Sequence, residues 1–305
     1  MTHVQQLEAV QPQRASIVSI GVFDGMHRGH QALIQRLVDE AHAADKLAIV
    51  LTFFPHPDAL LRNITDRYYL TTSQQRADLM LSMGVDYVVT YPFNDTTRHM
   101  RAADFVDKLC EYLHMSALWV GEDFAMGYQR EGDVTFLTTQ GKMKDFTVQA
   151  LKPVMIDGQW IKSTAIRAML QAGHVDTART WLGRGYTVIG EVVHGQQRGR
   201  TIGFPTANLA VDASQIIPAK GVYAGWATIN DERFMAVTNI GERPTFDGHG
   251  ITVEAFLMDF DRDIYGQSIH LSFETRLRDE QKFDGLEALV AQLNQDVAAG
   301  QDFLR

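Results

Sequence analysis

The chain has 305 residues, 28 Lys+Arg against 37 Asp+Glu, one cysteine and 45% apolar side chains. That length predicts about two domains, and the apolar content is enough to build their cores, which excludes a globally disordered chain. The formal net charge of -9 excludes an overall basic field for nucleic acid, the lone Cys110 excludes an internal disulfide, and no apolar run has the length of a membrane span.

The opening stretch, MTHVQQLEAVQPQRAS, is polar and lacks the apolar core of a signal peptide, so a cytoplasmic protein is expected. IVSIGVF (17–23) predicts a buried strand, and the segment 30–45 predicts a helix, with Ala32, Leu33, Leu37 and Ala41 near helical spacing. A strand at 47–54, a helix around 72–83, a strand at 85–93, a helix around 102–113 and a strand at 117–121 follow. Strand–helix alternation of this kind predicts a parallel sheet covered on both faces, with ligands at the strand ends. After Gly183–Arg184–Gly185 the rhythm changes. Segments 186–194, 221–229, 233–240, 251–260 and 268–278 are β-rich and separated by turn residues, which predicts a small closed barrel or sandwich. A last helix is expected at 286–299, with Leu286, Leu289, Val290 and Leu293 as its apolar stripe. The expected domains are therefore 1–183, of α/β type, and 184–305.

GVFDGMHRGH (21–30) joins the first strand to the first long helix. Gly21, Gly25 and Gly29 permit a tight turn and close backbone approach, and a helix N-terminus there points N–H groups at an anion. His27 and His30, three apart at that entry, can both face one phosphate and donate to a pentavalent phosphoryl centre. The alternative is a turn whose histidines are merely solvated. Ser163–Thr164 precedes AIRAMLQAG, a short helix closed by Gly173. Either hydroxyl can be a plain N-cap, or the hydroxyls, the helix N-terminus and Arg167 can together hold a pyrophosphate.

The second half contains no GxxxxGK[ST] and no protein-kinase signature. HGQQRGRTIGFPTANL (194–209) is instead a Gly-rich basic flap, with Gly195, Arg200 and Gly203, that leads into Pro-Thr-Ala-Asn. Thr206 and Asn208, two apart in an extended segment, point to one face and carry hard oxygen donors suited to Mg²⁺. The alternative is a strand-entry turn without a metal. In ITVEAFLMDFD (251–261), alternation puts Thr252, Glu254, Phe256 and Met258 on one side. Glu254 is either an outward, solvated carboxylate or a general base for a substrate hydroxyl.

GVFDGMHRGH, FPHP (54–57), VGEDFAMG (120–127) and STAIR (163–167) resemble the adenylyltransferase module of the bacterial bifunctional riboflavin kinase/FMN adenylyltransferase (FAD synthetase) family. HGxxxGRxxGFPTANL, GVYA (221–224), NIGERPTF (239–246), VEAFLMDFDRDIYG (253–266) and LRDEQKFDGLEAL (277–289) resemble its riboflavin kinase module, in the same order. The resemblance implies a Rossmann-like nucleotidyltransferase domain followed by a six-stranded Greek-key β-barrel with a terminal helix. It implies that the barrel phosphorylates riboflavin to FMN with ATP and Mg²⁺, and that the first domain adenylylates FMN to FAD with release of pyrophosphate. His27, His30 and Arg167 would serve adenylyl transfer, and Glu254 would be the base on the ribityl 5′-hydroxyl. Gly21, Asp24, Gly25, Gly29, Ser163, Thr164, Gly195, Arg200 and Gly203 would contact ATP. His56, Asp123 and Arg278 would contact flavin, and Thr206 and Asn208 would coordinate Mg²⁺. Riboflavin, FMN and ATP are the expected partners, with neither nucleic acid nor membrane.

The chain departs from the family pattern at Lys162, where a serine is usual, at Phe54 before Pro-His-Pro and at Ala125–Met126 after Asp123–Phe124; in the second half Phe256 replaces a common His and Gly285 a Ser. Two other readings therefore accompany the bifunctional one, a riboflavin kinase with an impaired adenylyltransferase module and a non-catalytic flavin-binding regulator. Retention of His27, His30, Arg167, Thr206, Asn208 and Glu254 argues against the regulator.

Overall fold

The computed structural model describes residues 1–305 except 153, 157, 196–198, 200, 201, 246 and 247. The chain forms two compact units, residues 1–65 with 71–162 and residues 66–70 with 163–305.

The first unit is built on a parallel sheet. Its strands are β1 (Thr2–Val4), β2 (Ser16–Ile20), β3 (Leu47–Phe54), β4 (Tyr87–Pro92), β5 (Met115–Gly121) and β8 (Thr147–Leu151), in the spatial order β1-β4-β3-β2-β5-β8. Every neighbouring pair is parallel. The period of two along each strand sorts side chains into two cores. Val18, Ile20, Ile49, Leu51, Leu118 and Val120 pack with Leu109 and Leu137, from α5 (Ala102–Leu113) and α6 (Val134–Lys144). Ile17, Ala48, Val50, Val88, Ala117 and Trp119 pack on the other face with Ile34, Leu37 and Met80, from α1 (Arg28–Ala43) and α3 (Ser73–Ser82). The expected two-sided α/β sheet is present. Strands are added to one side of β2 and then, from β5, to the other. This reversal puts a topological switch point at the carboxyl ends of β2 and β5, where open α/β sheets bind ligands.

Several local expectations differ. The first strand stops at Ile20 rather than running to residue 23, because Phe23 (φ 53), Gly25 (φ 78) and Met26 (φ 41) turn the chain through left-handed conformations. The polar N-terminus supplies the edge strand β1, which pairs with β4 through its backbone. Residues 125–160 complete the unit with a short hairpin of β6 (Ala125–Met126) and β7 (Gly132–Asp133), then α6 and β8, and then the antiparallel pair β9 (Met155–Ile156) and β10 (Gln159–Trp160). Cys110 is half-buried, and desolvation pushes its thiol pKa up, so it behaves as a packed residue.

The second unit is centred on a closed barrel of β11 (Tyr186–Val193), β12 (Thr206–Val211), β13 (Gly221–Ile229), β14 (Glu232–Thr245), β15 (Gly248–Leu257) and β16 (Ser268–Arg278). Their order is β11-β12-β15-β14-β13-β16, and β16 pairs back to β11. β12 lies beside β15 at the end of the β13–β14–β15 meander, which is a Greek key. Gly225 makes the tight curvature possible, since a Cβ there would sit 1.8 Å from the Ser272 carbonyl oxygen. Across the outer wall lies α9 (Leu286–Leu304). Its buried residues are Asp296 and Gly300, whereas Leu286, expected in the apolar stripe, is 60% exposed because it begins the helix ahead of the wall.

The helices α7 (Ser163–Gln171) and α8 (Val175–Leu182) group with the barrel. Val175, Trp181 and Leu182 are buried, Arg179 pairs with Glu274 of β16 at 3.5 Å, and the Leu170 carbonyl accepts from the Ala219 amide at 3.0 Å. The structural division therefore falls at Lys162/Ser163, earlier in the chain than Gly183/Arg184.

Candidate functional site

The loop after β2 is shaped by its own side chains. Asp24 is buried, and its Oδ1 accepts from the Thr71 amide at 3.1 Å and from the Thr71 hydroxyl at 3.2 Å. The same hydroxyl oxygen accepts from the Gly25 amide at 3.1 Å. Asp24 is thus a tie that holds the turn. Gly21 and Gly29 each leave room for a ring: a Cβ would lie 2.8 Å from Phe23 at the first and 3.1 Å from His27 at the second. His27 caps α1, its Nδ1 accepting from the His30 amide at 3.3 Å. A neutral imidazole with Nδ1 as acceptor carries its proton on Nε2. The rings of His27 and His30 stack with centroids 3.5 Å apart and planes 20° from parallel. The structure therefore brings the two expected histidines together at the start of a 16-residue helix.

At the carboxyl edge of the same sheet lies a cavity of about 810 Å³ whose lining includes Gly21, Phe53, His56, Phe93, Asp123 and Tyr128. Gly21, His56, Phe93 and Asp123 follow β2, β3, β4 and β5 in turn, so the cavity occupies the ends of four parallel strands. Its volume is in the range of small-molecule sites, and its aromatic walls suit a planar ligand. His56 caps α2 (Pro57–Leu61), accepting from the Asp58 amide at 3.0 Å, which again leaves Nε2 as the donor. His56 and Asp123, far apart in sequence, thus share one cavity. His27 and His30 are outside its lining, though the first residues of their loop, Gly21 and Val22, are in it. Of the departures from the family pattern, Ala125 and Met126 also line this cavity, Phe54 is partly exposed, and Lys162 lies over the Trp160 ring at 4.0 Å.

In the second unit, α7 begins at Ser163 and carries Thr164 in its first turn, with Arg167 on its buried side. Arg167 Nε donates to the Tyr68 carbonyl at 2.8 Å, and its guanidinium carbon is 4.0 Å from the centre of the Tyr68 ring.

The barrel wall carries the remaining residues. β12 pairs with β15 so that Thr206 faces Phe256 and Asn208 faces Glu254, and β14 pairs so that Asn239 faces Glu254 from the other side. Cross-strand partners share a face with Cβ atoms about 5 Å apart, so Asn208, Glu254 and Asn239 form one row on the outer wall. Val253, Ala255 and Leu257 point into the barrel interior. Glu254 is half-buried, and with Thr206, Asn239, Phe256, Arg278 and Phe283 it lines a cavity of about 330 Å³ closed by α9. A second cavity, of about 260 Å³, is lined by Val192, Pro205, Thr206, Asp263, Ile264 and Tyr265. Thr206 belongs to both. Gly195 lies against Asn208, where a Cβ would be 2.3 Å from Nδ2, and Gly203 turns the flap with φ 84. Arg200 lies outside the described residues.

Arg278 is held by Asp296 of α9, with Nε to Oδ1 at 2.8 Å and Nη2 to Oδ2 at 2.7 Å, while Gln292 donates to Oδ1 at 2.9 Å. Thr71, Tyr68, Asn239 and Asp296 were not singled out from sequence. Asn239 lies inside NIGERPTF and becomes legible only once the β14–β15 register is known.

A family model described as FAD synthetase matches residues 9–165, and one described as riboflavin kinase matches residues 182–304. The chain is 38% identical over 304 residues to a bifunctional riboflavin kinase/FMN adenylyltransferase of Pseudomonas fluorescens, covering 99% of this chain and 97% of that one. It is 36% identical to a protein of the same description from Listeria monocytogenes (92% and 90% covered) and 35% identical to one from Escherichia coli K12 (96% and 94%). Among solved structures it is similar to one from Streptococcus pneumoniae described as a macrolide-efflux protein, with a TM-score of 0.87, 28% identity and 98% of each chain covered. Among the described residues of the present chain, no helix is long and apolar enough to cross a membrane.

Proposed function

Since the chain belongs to the bifunctional riboflavin kinase/FMN adenylyltransferase family, we propose that its barrel phosphorylates riboflavin to FMN and its parallel-sheet unit carries the transfer of AMP from ATP to FMN, giving FAD and pyrophosphate. The observation that carries the kinase half is the outer barrel wall, where Glu254 and Thr206 line one cavity and Asn208 stands opposite Glu254. Phe256 and Phe283 give that cavity flat apolar walls for the isoalloxazine, and the neighbouring cavity takes the nucleotide. Thr206, common to both, stands where a phosphoryl group passes from one to the other. Glu254 takes the proton of the ribityl 5′-hydroxyl as its oxygen attacks the γ-phosphorus. The new O–P bond forms, the bond to the β,γ-bridging oxygen breaks, and ADP leaves.

Thr206 and Asn208 fit Mg²⁺: two neutral hard oxygens on one face, with Asn208 hemmed in by Gly195, suit an ion that takes most of its ligands from water and phosphate. When bound there, Mg²⁺ supplies charge neutralisation to the phosphates.

In the adenylyltransferase half, an oxygen of the FMN phosphate attacks the α-phosphorus of ATP, the bond to the α,β-bridging oxygen breaks, and pyrophosphate leaves. His27 and His30 donate to the charge that grows on the phosphoryl oxygens. His56 and Asp123 contact the flavin in the larger cavity. ATP as co-substrate and a single unpaired cysteine favour a cytoplasmic setting.

The test is direct. Incubation with riboflavin, ATP and Mg²⁺ should yield FMN and then FAD, resolved by chromatography. Glu254→Gln should slow FMN formation by about 10²–10⁴ yet convert supplied FMN to FAD, and the double variant His27→Ala/His30→Ala should lose FAD formation while keeping FMN formation. A folded wild-type protein that forms FMN but no FAD would support the impaired-module reading, and one that forms neither would support the regulator.

A further inference from the structure

The connection from β15 to β16, residues 258–267, forms one wall of the smaller barrel cavity, and six of its residues, Phe260 to Tyr265 in succession, line that cavity. Both ends of the connection are tied by backbone. The Met258 amide donates to the Met235 carbonyl, the Gly266 amide to the Val192 carbonyl and the Val192 amide to the Gln267 carbonyl, each at 2.9 Å. Left-handed conformations at Asp259 (φ 53) and Gly266 (φ 74) turn the chain out of one strand and into the next. The stretch between is held by a side chain. Arg262 Nη1 donates to Glu232 Oε1 at 2.8 Å and Nη2 to Oε2 at 3.1 Å, a two-pronged bond to the first residue of β14. The guanidinium carbon lies 4.9 Å from the centre of the Phe260 ring and 5.2 Å from that of Phe234, and those two rings meet edge-on at 4.9 Å. Hydrogen bonding to Arg262 holds the Glu232 carboxyl below its ordinary pKa, and the same bond raises that of the arginine.

We propose that Arg262 and Glu232 are positioning residues for ATP binding in the kinase reaction: their two-pronged bond, seated against the Phe234 and Phe260 rings, fixes the loop wall of the cavity that takes the nucleotide. The proposal rests on the reading that ATP occupies that cavity. The two side chains are 49% and 57% exposed, and an ordinary ion pair so placed contributes little. Three features set this pair apart. The match of fork to carboxylate fixes the direction of the guanidinium as well as its distance. The rings add an attraction that a pair standing in water lacks. Glu232 also stands opposite Ile229 at the end of the β13–β14 ladder, so its backbone moves only with the barrel. The bond therefore carries the rigidity of the ladder to the middle of the loop. Arg262 is part of the cavity lining and Glu232 is not, so an effect of Glu232 on ATP has to pass through Arg262 and its loop.

The experiment is a double-mutant cycle on the full chain, measuring riboflavin phosphorylation against ATP concentration, with thermal unfolding and conversion of FMN to FAD as controls in the same samples. Both side chains are half exposed, so neither change threatens the fold. Glu232→Gln should raise the KM for ATP by about three- to fivefold, the scale of one well-formed exposed ion pair. Its kcat should stay within about twofold of the parent and its KM for riboflavin unchanged, a split that general loosening of the barrel would not give. In an Arg262→Met background, where the bond is already lost, Glu232→Gln should have less than about a 1.5-fold further effect on the KM for ATP. An unchanged KM for ATP in Glu232→Gln, a fall in kcat in its place, or full additivity of the two changes overturns the proposal. Hydrogen exchange of the unaltered chain with ADP and Mg²⁺ checks the underlying reading separately. The nucleotide should slow exchange across residues 258–267, and no slowing there overturns the placement of ATP in this cavity rather than the role of the pair.

Discussion

The Arg278–Asp296 bridge sets the sharpest energetic expectation. Both carboxylate oxygens are engaged by the guanidinium, Gln292 adds a third hydrogen bond, and Asp296 is 3% exposed. Removing one partner of a buried ion pair typically costs about 3–5 kcal/mol, because the other charge is left without compensation. Arg278 keeps 19% of its side chain in water and also donates to the Asp279 carbonyl at 2.9 Å. The cost of Asp296→Ala therefore belongs at the low end, about 3 kcal/mol. Asp296→Asn, which keeps one acceptor and the volume, should lose roughly half of that. At about 2–4 °C per kcal/mol for a domain of this size, the alanine variant should unfold roughly 6–12 °C lower. Arg278 lines the cavity assigned to riboflavin, so the KM for riboflavin should rise more than kcat falls. The assay is thermal unfolding followed by near-ultraviolet circular dichroism, paired with kinase kinetics. An alanine variant within about 1 kcal/mol of the parent would show that the pair is merely tolerated.

Glu254→Gln should slow riboflavin phosphorylation by about 10²–10⁴, the usual worth of a general base, with binding little changed; near-normal turnover would return Glu254 to a solvated strand residue. Gly29→Ala should reduce FAD formation by about tenfold or more, since its Cβ would press on the His27 ring at 3.1 Å and a small misplacement is costly; unchanged FAD formation would mean that the ring yields. A fragment beginning at Arg184 should be several kcal/mol less stable than one beginning at Ser163, because each buried side chain such as Trp181 or Leu182 contributes about 1.5–3 kcal/mol. Equal denaturant midpoints for the two fragments would show that α7 and α8 add nothing to the barrel.

Legibility in the sequence followed how locally each feature is determined. Strands such as Leu47–Phe54 and Gly221–Ile229 were readable to the residue because apolar runs bounded by turn formers specify them without outside help. β1 was not readable: three polar-flanked residues become a strand only because β4 offers an open edge. The stripe of α9 was legible at Leu289, Val290 and Leu293, which are half-buried, and failed at Leu286, which is exposed. The two fully buried positions escape hydropathy, because one is a carboxylate that meets Arg278 and the other is Gly300, lying close to Val237.

The sites divide in the same way. His27 with His30, and Thr206 with Asn208, are near neighbours whose spacing alone puts them on one helix entry or one strand face, and each pair is found together. The residues that were missed act across long separations: Thr71 on Asp24 over 47 positions, Asp296 on Arg278 over 18, and Tyr68 on Arg167 over 99. Each of these partners contributes a tie rather than the chemistry itself, and two of the three ties engage a backbone group of the missed residue. A backbone carbonyl or amide is supplied by any residue type, so the first link of Tyr68 to Arg167 leaves no mark in the side-chain pattern. The ring beneath the guanidinium is the one part of that contact that a sequence can encode.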